Sequence, residues 1–157
     1  MCAIGRYAPF DVTARRQPKE QLRIMIVYED LLTCRVAERV FDQITARMAS
    51  DCEIYLTLRS FGVLTIPTLV EQAVSDAAAA DLILLSVHGQ GNWPPSVERW
   101  MELLVSERAA QHGGLAAVLV RPQAAASAAR ERCATLEQLA QLSGRDFFFA
   151  KDVDWVP

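Results

Sequence analysis

Ser86 and His88 stand two residues apart at the end of the apolar run Leu82–Val87, and Gly89-Gln90-Gly91 follow at once. A hydroxyl and an imidazole on one face of a strand end are the raw parts of a nucleophile and its general base. A Ser–His hydrolase also needs a positioned third group and an oxyanion hole, and the chain has no G-x-S-x-G elbow around Ser86. A second chemical cluster, Glu29-Asp30, closes the apolar run Leu22–Tyr28. Two adjacent carboxylates there suit a cation or a polar ligand. The plainer role is to stabilise the N-terminus of the next helix, by about 0.3–1 kcal/mol. Cys34 falls in that helix's first turn, where the helix dipole would lower a thiol pKa. No arginine follows at the spacing of a cysteine phosphatase loop, so a packed thiol is the simpler reading. Trp93, beside Pro94, suits a stacking platform for a planar ligand, a clasp over a crevice or a subunit contact.

The elements that must carry these residues follow from periodicity. Leu22–Tyr28 is apolar on both faces, as a central parallel strand must be. Val36, Val40, Ile44 and Met48 recur every four residues and give a helix over about Leu32–Met48. A strand over Glu53–Leu58 and a loop over Arg59–Pro67 come next. Thr68 and Glu71 have capping-box spacing and open a helix running to about Ala80. The third strand is Leu82–Val87. Its helix runs from Pro95 to about Arg108, with Val97, Trp100, Met101 and Leu104 inward. After Gly113-Gly114 comes a strand over Leu115–Val120, then a helix over Ser127–Leu142 stopped by Gly144, then a strand over Phe147–Ala150. Strands alternating with helices predict a three-layer, doubly wound parallel sheet. Five strands suggest the flavodoxin-like order 2-1-3-4-5, with ligands expected at the switch point beyond the strand C-termini. The crevice residues predicted on this basis are Tyr28, Glu29, Asp30, Ser86, His88, Gly89, Gln90, Gly91 and Trp93, with Lys151 near. No internal repeat or second domain is visible; residues 1–20 read as a tail and 21–157 as one domain. Trp155, in the tail Asp152–Pro157, reads as an apolar anchor onto the domain or onto a partner.

Two resemblances arise at this edge. The stretch from His88 through Asn92-Trp93-Pro94-Pro95 to Val97 and Trp100 resembles flavodoxin-like NAD(P)H-dependent FMN reductases, which implies an FMN cofactor. Those proteins cradle the FMN phosphate in a loop rich in Ser, Thr and Gly after the first strand, at a helix N-terminus. Here that loop is Glu29-Asp30-Leu31-Leu32-Thr33, with two carboxylates and no glycine. One carboxylate about 4 Å from a phosphate charge costs about 4 kcal/mol at an effective dielectric near 20. Glu29 and Asp30 therefore disfavour FMN in its usual pose. Asp81–His88 also resembles the phosphoacceptor strand of response-regulator receiver domains. Glu29-Asp30 resemble their acidic magnesium pair and Lys151 their phosphate-sensing lysine. Ser86 stands where the acceptor aspartate belongs, which implies a degenerate receiver that forms no aspartyl phosphate and lacks one magnesium ligand. The Ser-Val-His-Gly junction with Pro-x-x-Val-x-x-Trp also resembles a group of bacterial proteins without an assigned activity.

Bulk properties narrow the field further. A chain of 157 residues, 52% apolar and 22% charged, is an ordinary globular domain. With a net charge of −3 and no basic stripe, nucleic acid is not an expected partner; the cluster Arg15-Arg16-Gln17-Pro18-Lys19 is too small to count as one. No apolar run approaches a membrane span, and the first twenty residues lack the apolar core of a signal peptide. Cys2, Cys34, Cys52 and Cys133 form no CxxC pair and lie far in sequence from His88 and His112, so reduced thiols in a cytoplasm are expected and a metal site is not. The reading that follows is a non-catalytic regulatory or ligand-binding module. A small molecule or a protein is its partner, with dimerisation through the third and fourth helices left open. A flavin reductase-like protein is the alternative, and a hydrolase using Ser86 and His88 the more remote one.

Overall fold

A computed structural model describes residues 20–48, 51–89, 91–107, 112–120 and 126–150. Five parallel strands form one sheet in the order β2-β1-β3-β4-β5. They are β1 (Glu20–Tyr28), β2 (Cys52–Ser60), β3 (Leu82–His88), β4 (Gly114–Val120) and β5 (Asp146–Ala150), and the intervening helices are α1 (Leu31–Met48), α2 (Pro67–Ala79), α3 (Pro95–Ser106) and α4 (Ala126–Leu142). This is the flavodoxin-like arrangement that the alternating pattern predicts.

The two faces of the sheet are covered unequally. Met25, Val27, Ile83, Leu85, Leu115 and Ala117 point to one side and pack with α2, α3 and α4. Ile24, Ile26, Leu84, Val118 and Val120 point to the other, where Val36, Ala37 and Val40 of α1 cover them. Right-handed crossovers explain the division, because only the β1–β2 connection moves leftward across the sheet. The central strands β1, β3 and β4 are buried on both faces, whereas the edge strands expose Tyr55, Leu56, Leu58 and Phe148.

Two connections differ from the sequence reading. Strand β2 continues to Ser60, and the following segment is not an open loop but a 3-10 turn, Phe61–Thr65, capped by the Ser60 hydroxyl accepting from the Val63 amide. Helix α2 does not start from a Thr68–Glu71 capping box. Its N-cap is Ile66, and Pro67 occupies the first helical position, where its missing N–H costs nothing. Gly113 has φ +76°, and a Cβ there would lie 2.2 Å from the Asp81 carbonyl oxygen, so the turn into β4 requires glycine. At the sheet's N-terminal edge, buried Arg145 donates to the carbonyls of Ala77 and Ala80 at the end of α2 and to Gly114, and burial lowers its pKa. That arginine fastens the edge away from the crevice. No helix among the described residues is long and apolar enough to cross a membrane.

Candidate functional site

Tyr28 and Ser86 are register partners at the C-terminal ends of β1 and β3. The chain leaving β1 and the chain leaving β3 therefore lie side by side at the switch point, where the sequence predicts a crevice. Ser86 is fully buried, and its hydroxyl donates to the Thr33 carbonyl of α1 at 2.7 Å. That bond ties strand to helix and commits the hydroxyl proton to a backbone acceptor.

Asp30 is the residue before α1, and its carboxylate accepts the Thr33 amide at 3.0 Å. The Thr33 hydroxyl in turn accepts the amides of Glu29 and Asp30, each at 2.9 Å. This is a reciprocal cap, with threonine in the place usually held by glutamate. The amides of Glu29 and Asp30, just before α1, and of Thr33 in its first turn are thereby satisfied from within the chain. The other Asp30 oxygen lies 2.6 Å from His88 Nε2. Partial burial alone would raise the Asp30 pKa. The Thr33 amide, the His88 ring and the Thr33 hydroxyl outweigh it and hold the carboxyl below its ordinary value.

Glu29 turns the other way. Its Oε1 accepts the His88 amide at 2.9 Å and Nη1 of Arg132 at 3.0 Å. Arg132 lies on α4 and is only 2% exposed. Its Nε donates to the Gly91 carbonyl at 3.0 Å, Nη1 also to His88 at 3.1 Å and Nη2 to Asn92 at 3.1 Å. Its guanidinium carbon sits 4.3 Å from the centre of the Trp93 ring. One buried cation thus gathers the chain leaving β3, lies against its tryptophan and neutralises the carboxylate leaving β1. Gly91, at φ +103°, turns the chain so that its carbonyl meets that cation.

The predicted residues divide as follows. Tyr28, Glu29, Asp30, Ser86, His88, Gly89, Gly91 and Trp93 all lie at this edge, while Gln90, Lys151, Trp155 and the Arg15–Lys19 cluster lie outside the described residues. No hydrogen bond joins Ser86 to His88: the serine faces Thr33 and the imidazole faces Asp30. The acidic pair is split, Glu29 to Arg132 and Asp30 to the helix cap. Trp93 is not an open platform, since Arg132 covers its ring and Phe61 approaches it at 6.4 Å between ring centres. Cys34 is the packed thiol of the simpler reading, and the helix dipole does not set its pKa. It is buried in the first turn of α1, and burial together with its contact to Glu38 raises the thiol pKa. Among the described residues no group of three or more His, Cys, Asp and Glu is placed to hold a metal ion.

Arg132, the organiser of the site, was not singled out from sequence. The signal was present: Arg132, Leu136, Leu139 and Ala140 share the i, i+4, i+7, i+8 spacing of one buried helix face, and an arginine on such a face demands a buried partner.

No known family model matches the chain, and no curated protein sequence matches it. Among solved structures the chain is similar to homoserine dehydrogenase from S. aureus, with a TM-score of 0.51 and 14% identity over 85% of this chain and 33% of that one. The chain spans about a third of that enzyme's length. At that identity the two share a fold, a parallel α/β sheet between helices, and no residue role passes from one to the other.

Proposed function

We propose that this protein is a non-catalytic module of flavodoxin-like fold whose C-terminal crevice serves regulation or ligand recognition rather than flavin, phosphoryl or acyl chemistry. The observation that carries this reading is that the Glu29, Asp30 and Thr33 amides, the two carboxylates and the Ser86 hydroxyl, on which those chemistries would draw, are engaged within the chain. An FMN phosphate would draw on the amides around the start of α1, where the Asp30 carboxylate occupies that of Thr33 and the Thr33 hydroxyl those of Glu29 and Asp30. A magnesium ion would need Glu29 and Asp30 together, and they are engaged with Arg132 and His88. A nucleophilic serine would need an imidazole partner, and Ser86 donates to a backbone carbonyl instead. What the crevice offers a ligand is the half-exposed Asp30–His88 pair at its rim and the carbonyl-rich turn gathered by Arg132. A small polar molecule or a protein segment suits such a rim. A cytoplasmic location fits the reduced thiols of Cys34 and Cys52.

Thermal-shift measurements against flavins, nucleotides and divalent cations test the reading. The expected result is no stabilisation by FMN and none by magnesium or calcium. Flavin absorbance co-purifying with the protein would replace it with the reductase alternative. Magnesium stabilisation abolished by Asp30→Asn would favour the receiver-like form. Labelling of Ser86 by a serine-directed probe, lost on His88→Ala, would restore the hydrolase.

A further inference from the structure

The structure also points to an interaction surface away from the crevice rim: we propose that the furrow between α3 and α4 binds a cationic amphipathic helix of a partner protein. Two clefts, of about 450 and 320 Å³, meet at Thr135 and run from the Trp93 end of the crevice along the helix pair to Leu142. The floor of the longer stretch is apolar, made by Met101, Val105, Leu139 and Leu142, and Leu142 is 55% exposed. A furrow walled by two helices is shaped for a third helix, with apolar anchors at i, i+3, i+4 and i+7. The twelve residues of α3 span about 18 Å, the length of about three helical turns.

Charge selects the occupant. Glu98, Glu102 and Glu131 are exposed along the furrow, and none of them has a salt-bridge partner among the described residues. Among the described lining residues the one base, Arg132, is already held by Glu29 and three carbonyls. Helical spacing puts Arg99 with Leu103 and Ser106, on the side of α3 turned to α2, and takes Arg130 off the furrow side of α4. A ligand helix with leucine-like residues on one face and Lys or Arg on its flanks would meet both floor and rim. A second copy of this chain docking symmetrically through the furrow would set these carboxylates against their own images, which is repulsive. The inference does not rest on the crevice reading, since a protein that ignored every small ligand would still hold a helix here.

The test is fluorescence anisotropy of a labelled synthetic helix of about 14 residues built from Leu and Lys, with a Leu/Glu helix of the same pattern as control. The full chain is used, with Leu142→Glu, Val105→Glu and the triple variant Glu98→Gln/Glu102→Gln/Glu131→Gln, each checked for folding by circular dichroism. Leu142 is already largely exposed, so its variant folds. The Leu/Lys helix is expected to bind saturably and more weakly at high salt, the Leu/Glu helix not at all, and each folded variant to lose about tenfold or more in affinity. No binding of the Leu/Lys helix, or equal binding to wild type and variants, would overturn the proposal. So would a dimer in sedimentation that Leu142→Glu dissociates, because the furrow would then belong to a second copy.

Discussion

Replacing Arg132 by alanine removes the cation that ties Glu29 to the chain leaving β3, and its cost can be worked out from the contacts. The substitution deletes the cation beside Glu29, three hydrogen bonds to the carbonyls of His88, Gly91 and Asn92, and the stacking on Trp93. Breaking a buried ion pair from one side typically costs about 3–5 kcal/mol, because the partner charge is stranded. Here the Glu29 side chain retains 24% exposure, so water solvates part of the stranded carboxylate and the expected loss falls to about 2–4 kcal/mol. For a chain of this size that is a fall of roughly 5–15 °C in Tm. Arg132→Lys recovers little of it, since an ammonium cannot reach four acceptors in one plane. Urea unfolding of wild type, Arg132→Ala, Glu29→Gln and the double variant separates the pair energy from the loop bonds. The coupling energy should be about 1–2 kcal/mol, and the double variant should be less destabilised than the sum of the singles. A loss below about 0.5 kcal/mol for Arg132→Ala, or no coupling, would refute the view that this cation organises the site.

Three further predictions concern the same framework. Asp30→Ala should cost about 1 kcal/mol through loss of the α1 cap. The Asp30 carboxyl is held below its ordinary value in the folded state, so its contribution is full above about pH 4 and disappears as pH falls below that; acid unfolding of Asp30→Ala should accordingly be shallower than that of wild type over that range. Ser86→Asp, which restores the acceptor residue of a receiver, would bury a carboxylate against the Thr33 carbonyl. It should destabilise by about 3 kcal/mol or more in denaturant unfolding, with no gain of aspartyl phosphate from small-molecule phosphodonors. Gly113→Ala forces a left-handed alanine into the Asp81 carbonyl oxygen and should cost about 2 kcal/mol or more, seen as a lower urea midpoint at unchanged slope.

The layers of the fold were legible because they rest on one strong signal. Strands β1, β3 and β4 are apolar on both faces, and the stripes on α1 and α3 have a clear helical period. The connections were harder to read. The Ser60 cap and the Pro67 start are local choices that competed with an equally good capping pattern at Thr68 and Glu71. At the crevice, sequence identified most of the groups that meet but not how they pair. Glu29 and Asp30 are neighbours with the same chemistry, and only the α4 cation, a hundred and three residues from Glu29, separates their roles. Helical spacing marks Arg132 as a buried cation in need of a partner, but does not say that the partner is Glu29. The reciprocal cap was half visible, since Thr33 lies three residues beyond Asp30, but threonine in that place is an uncommon form of the motif.

At the entry to α1 the Thr33 hydroxyl and the Asp30 carboxylate fill the amides of Glu29, Asp30 and Thr33. Titration of isotopically labelled protein with FMN, followed through the backbone amide resonances of Glu29, Asp30 and Thr33, tests most directly whether a phosphate can take their place. The prediction is that these resonances do not move at millimolar FMN. Saturable shifts of the same three amides with one equivalent of FMN would show a phosphate displacing the Asp30 carboxylate from the helix, and would contradict the account.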